Sequence, residues 1–145
     1  MNKIEQKRQA KVDEILDFLR KVKNGEISEQ ELEQMQENWA KEREINLFCA
    51  KAKALISNAI KGYEDDSETT EFIGCSYVHY MVHLSKQFVK GMNFDNKKDW
   101  EVDHIIPISS AKTKDEILVL SKFTNLRPLW RKDNRKKHSK KLFLI

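Results

Sequence analysis

A chain of 145 residues, 39% hydrophobic and 34% charged, suits one globular domain or a domain with a helical appendage. No run approaches the ~18 apolar residues of a membrane span, and the charged N-terminus lacks a signal-peptide apolar region, so a cytoplasmic protein is expected. The +4 net charge is uneven: residues 1–96 carry 14 Lys/Arg against 17 Asp/Glu and residues 97–145 carry 13 against 6, which fits a nucleic-acid contact surface or a solvated basic tail.

The two cysteines, Cys49 and Cys75, form no CxxC pair, which excludes a zinc ribbon and makes a reduced setting the simpler reading. In chain order, apolar residues at helical spacing predict a first helix over 4–23, broken by "KNGE" with Gly25 near its end. Ser28 and Glu31 form an S-x-x-E capping box for a second helix over 29–61, long enough that a bend near Asn46 is expected. Together they read as a helical hairpin serving as scaffold, oligomerisation element or DNA contact. The acidic "GYEDDSETTE" at 62–71 is the clearest boundary, dividing the chain into 1–65 and 66–145.

Ser76 caps a third helix running to Lys90, and turn-rich residues 92–99 follow. "WEVDH" then alternates as a short strand would, and "NLRPLW" is a second strand whose Pro128 suits an edge. "RKDNRKKHSKK" reads as a basic helix. The fold class expected is α+β, mostly helical, ending in strand, long connection, strand and helix. His79 and His83 lie four apart on the third helix without the acid of an HExxH motif, and are read as surface or packing residues.

"DHIIPIS", Asp103–Ser109, sets an acid beside an imidazole on a strand, where neighbours point to opposite faces. Two side chains with separate tasks are expected there. Ile105 and Ile106 are expected to anchor the following loop in apolar packing, and Pro107 holds Ile106 extended. With "NLRPLW", "DNRKK" and the spacing of nine between Asn125 and Asn134, the sequence resembles the HNH endonuclease family over about residues 72–137. "FIGCS" and "GMNFDN" are similar to the lead-in of phage and prophage members. Residues 1–65 have no counterpart.

The resemblance implies an N-terminal helical hairpin followed by a ββα-metal nuclease unit. Asp103 matches the metal-binding acid, and Asn134 the third motif position, where many members have His. Two hard oxygen ligands suit one Mg²⁺ or Mn²⁺ ion. His104 matches the general base, its second nitrogen expected to donate to a loop carbonyl. Asn125 matches the middle position and is expected to tie the loop bearing His104 to the second strand. His138, four residues after Asn134, is a further metal-ligand candidate. Arg127, Arg131, Arg135, Lys136, Lys137, Lys140 and Lys141 are candidate DNA phosphate contacts, Lys137 first among them.

The unit is expected to pack on the third helix through Phe94, Trp100, Leu129 and Trp130. The function implied is metal-dependent hydrolysis of duplex or branched DNA, leaving 5′-phosphate and 3′-hydroxyl. A homodimer through the N-terminal helices is allowed, and if phage-encoded the protein would act in the host cytoplasm. The alternative is a silent nucleic-acid-binding module using the basic helix. A secreted nuclease toxin is the third reading, disfavoured by the acidic N-terminal half and the lack of a delivery segment.

Overall fold

Capping decides where the first helices begin. In the computed structural model, which describes residues 1–63 and 66–143 and only the backbone over 138–143, α1 spans Lys3–Lys23 and α2 spans Glu29–Ala59. Asn2 and Glu5 form a reciprocal capping box on α1, and Ser28 and Glu31 exchange the same pair of bonds at 3.1 and 3.2 Å on α2. Gly25 takes φ 74° in the turn between them. The hydrogen-bonded helix of α2 runs through Asn46 without a break.

The described chain divides into two compact units, Met1–Arg43 and Glu44–Ile145. This division lies N-terminal to the boundary expected near residue 65. The cause is the second half of α2, whose Ala52, Ile56 and Ala59 are buried in the core of the later unit. In the first unit Phe18 and Trp39 meet edge to face at 5.7 Å, and α1 has no buried residue.

In the second unit the acidic stretch is partly helical. Asp66 accepts from the Glu68 amide and caps α3, Ser67–Ile73, whose Phe72 and Ile73 are buried. Gly74 ends it at φ 81°. The left-handed backbone there favours glycine, and a Cβ would meet Lys122 Cδ at 2.9 Å, a contact the flexible lysine can relieve by moving. Ser76 then caps α4, Tyr77–Ser85. α4 stops short of the expected Lys90: Gln87 turns back to donate to the His83 and Leu126 carbonyls, and Phe88 leaves the helix to join Phe94 and Trp100.

Strands β1, Trp100–His104, and β2, Leu126–Trp130, pair antiparallel, with Trp100 opposite Trp130, Asp103 opposite Arg127 and His104 opposite Leu126. Pro128 faces Val102 in this two-stranded sheet, where every strand is an edge. The connection between the strands holds α5, Lys114–Leu120, capped by Thr113. α6, Arg131–Phe143, follows β2 directly and packs on both strands, while α4 packs on β2.

Trp100 is fully buried among Ile56, Tyr80, Leu84 and Leu126, with Phe94 and Trp130 packed against the same cluster, and its Nε1 donates to the Asn93 carbonyl at 2.8 Å. A buried tryptophan whose N–H is satisfied brings its whole apolar area to the core without a polar penalty. Leu129 lies outside this cluster, because as the register partner of Glu101 it shares the other sheet face. A second cluster joins Ala52, Phe72, Ile108 and Ile117. Ile108, not Ile105 or Ile106, anchors the loop after β1: the latter two are 45% and 55% exposed, and Ile108 is 4% exposed. The chain is thus α+β and mostly helical.

Candidate active site

The period of a strand puts Glu101 and Asp103 on one face of β1, toward α6. Asp103 is 7% exposed, and an ionised carboxylate so enclosed requires counter-charge and donors. Both are present. Arg127 Nε donates to Oδ2 at 3.0 Å, and Lys137 Nζ reaches Oδ1 at 3.1 Å and Oδ2 at 2.9 Å. Lys137 also donates to the His104 carbonyl at 3.1 Å. Glu101 accepts from Arg131 Nη1 at 3.0 Å and from Asn134 Nδ2.

His104 sits at the end of β1. Its Nε2 is buried with no hydrogen-bond partner among the described residues, and no bond to a loop carbonyl orients the ring. Burial pushes its pKa down to about 4; the Asp103 charge opposes the shift, and Lys53 and Lys137 reinforce it. The imidazole is therefore neutral at pH 7, with a lone pair available to accept a proton.

Asn125 stands behind this group and braces the loop. Its Oδ1 accepts from the Ile106 amide at 2.9 Å. Its Nδ2 donates to the Ile106 carbonyl at 3.0 Å and to Leu120 at 2.7 Å. The Ile105 amide donates to the Asn125 carbonyl at 2.8 Å, extending the strand pairing by one bond. Ile106 is thereby tied to the lead-in of β2 through both ends of the Asn125 side-chain amide, and Ile105 through the Asn125 backbone carbonyl.

Glu101, Asp103, His104, Asn134 and Lys137 line one pocket of about 300 Å³ with Lys53, Ser57 and Ser109. The donors fit a hard divalent cation. Asn134 Oδ1 is buried and without a partner among the described residues, an ion at Asp103 would take the place now held by Lys137 and Arg127, and Mg²⁺ needs only one or two protein oxygens because it keeps several waters. Among the described residues no three His, Cys, Asp or Glu side chains gather into a closed metal cage.

The cationic candidates fall in two places, with Arg131 common to both. Arg127, Arg131 and Lys137 face the carboxylates of the site. Arg135 and Lys136 line a wider groove of about 770 Å³ with Lys98, Trp130 and Lys132. The side chains of His138, Lys140 and Lys141 lie outside the described residues. His79 and His83 pack edge-on against Phe123 at 4.9 and 5.2 Å.

Sequence reasoning missed Glu101, although the alternation of "WEVDH" sets it on the same face as Asp103. It also missed Lys53 and Ser57, for which the sequence holds no local signal, since only the fold brings α2 to the pocket. No curated protein and no solved structure matches the chain. Residues 86–140 match the family model described as HNH endonuclease, a stretch that takes in β1, α5, β2 and most of α6. Within that stretch, which is similar to the HNH endonuclease family, the acid and imidazole of β1 and the asparagine of α6 meet in one pocket.

Proposed function

We propose that the protein is a metal-dependent DNA endonuclease that leaves 5′-phosphate and 3′-hydroxyl ends. The observation that carries this reading is the unpartnered His104 Nε2 beside the Asp103 carboxylate and the free Asn134 Oδ1 in a single pocket. Asp103 and Asn134 would hold one Mg²⁺ or Mn²⁺ ion, which when bound supplies charge stabilisation at the phosphate and at the leaving oxygen. His104 takes a proton from water through Nε2, the water oxygen bonds to phosphorus, and the P–O3′ bond breaks in line. The departing O3′ takes a proton from solvent. Asn125 keeps the His104 loop in register, and Arg135 and Lys136 contact DNA phosphates away from the reacting bond.

Plasmid nicking in Mg²⁺ tests the reading, with end-group analysis of the products. Wild type is expected to cut and His104→Ala to lose about 10²-fold or more in rate, the range for a general base. A second reading has its own support, since Arg127 and Lys137 already neutralise Asp103. In that case the domain binds nucleic acid without cutting, and DNA retention with no cleavage in any divalent metal would establish it. Exposed Ile15, Leu16 and Leu19 on α1 would let two copies pair and convert nicking to double-strand cutting. Light scattering on the same samples reads that step.

A further inference from the structure

The pocket has a wall that the nuclease reading does not use. Lys53 and Ser57 lie four residues apart on α2, hence on one helix face, and both line the pocket, as does Ser109. Among the described residues none of these three side chains has a hydrogen-bond or ion-pair partner. Three other lysines of this unit, by contrast, are ion-paired: Lys51 with Glu68, Lys114 with Glu44 and Lys137 with Asp103. The carboxylates of the site are likewise satisfied, Asp103 by Arg127 and Lys137 and Glu101 by Arg131. Lys53 is thus a cation with no ion-paired anion among the described residues, lining the same pocket as the Ser57 and Ser109 hydroxyls. A volume of about 300 Å³ has room for one phosphodiester group.

We infer that Lys53, assisted by Ser57, binds the non-bridging oxygens of the phosphodiester that is cut, so that α2, outside the family-matched residues 86–140, is part of the catalytic unit. The inference rests on the endonuclease reading and names how that site receives its substrate. An ammonium placed there offsets the charge that builds on phosphorus-bound oxygens during attack. It also adds one phosphate contact to the ground-state complex.

The test uses the full chain and two measurements, plasmid nicking in Mg²⁺ and binding of a short duplex across a salt series in Ca²⁺. Lys53→Ala is expected to lower kcat/KM by at least about 10-fold, a modest value for loss of a donor aimed at developing charge. It is also expected to reduce the slope of log affinity against log salt by about 0.9, the value for one phosphate contact. Lys53→Arg should restore most of both, and Lys51→Ala should change neither. Lys53 is exposed, so the variants are expected to melt like wild type. Cleavage by Lys53→Ala within about 2-fold of wild type, with an unchanged salt slope, overturns the inference while His104→Ala still tests the nuclease reading. If wild type cuts in no divalent metal, the nuclease reading falls, and an unchanged salt slope in Lys53→Ala then overturns the phosphate contact by itself.

Discussion

An imidazole enclosed without a partner leaves a mark on stability. The folded His104 pKa of about 4 lies below its ordinary value of 6.5, so between these values the unfolded chain holds more protons than the native one. Stability from this residue is complete above pH 6.5 and is lost as pH falls toward 4. Urea midpoints at pH 7 and pH 5 are expected to drop further for wild type than for His104→Gln; equal drops would remove the assignment. Lys137 has the opposite situation, with three hydrogen bonds to Asp103 and the His104 carbonyl. Lys137→Met is expected to cost about 1–3 kcal/mol in the metal-free protein, the range for leaving a buried charged group short of a partner. Mn²⁺ is expected to recover part of that loss by supplying the missing positive charge. Thermal melts in EDTA and in Mn²⁺ compare the two, and an equal loss in both would count against a cation site at Asp103.

At the scale of elements, legibility followed length and capping. β1 was readable because alternation over "WEVDH" needs only five residues, and α6 because a run of lysines and arginines breaks no helix. α3 and α5 were not seen: each has seven residues, two turns, too short for an apolar period to stand out. Their caps were the available signal. Thr113 and Glu116 follow the same S/T-x-x-E rule that located α2, and the Thr113 hydroxyl does accept from the Glu116 amide at 3.1 Å. α3 depends on its ending as well. Lys122 crosses its C-terminus and donates to the Glu71 carbonyl, passing close to where a Cβ at position 74 would stand. Gly74→Ala is expected to destabilise by about 1–2 kcal/mol through its left-handed backbone alone, with further loss if Lys122 is displaced. Chemical denaturation gives the value directly, and a neutral result would mean the turn can re-form with another geometry.

For the whole molecule, the motifs that line the candidate site were legible and the support beneath them was not. "DHIIPIS" and "NLRPLW" mark the hairpin by themselves, but the pocket is closed by α2, and both hydrophobic clusters draw on its second half. A long helix contributes to a distant core through three-dimensional packing, which local periodicity does not encode. Truncation turns this into a measurement. A fragment of residues 44–145 is expected to fold and keep the activity of the full chain. A fragment of residues 66–145 lacks Ala52, Ile56, Ala59, Ile60 and Tyr63 of those clusters and is expected to be unfolded or molten. Circular dichroism and near-ultraviolet spectra of the two distinguish these outcomes, and a cooperative melt from the shorter fragment would show that α2 is dispensable.

The two strands that carry the site are not joined by a tight turn. Residues 105–125, with α5 among them, intervene before Leu126 returns to His104. Closing that distance costs chain entropy before any strand bond is gained, whereas the helices form from neighbours in sequence. Refolding should therefore pass through a time in which helical content has returned and the hairpin is still open. In stopped-flow experiments, far-ultraviolet ellipticity is expected to recover ahead of the tryptophan signal from Trp100 and Trp130. A newly folding molecule would then hold its helices first and bring its candidate site together last.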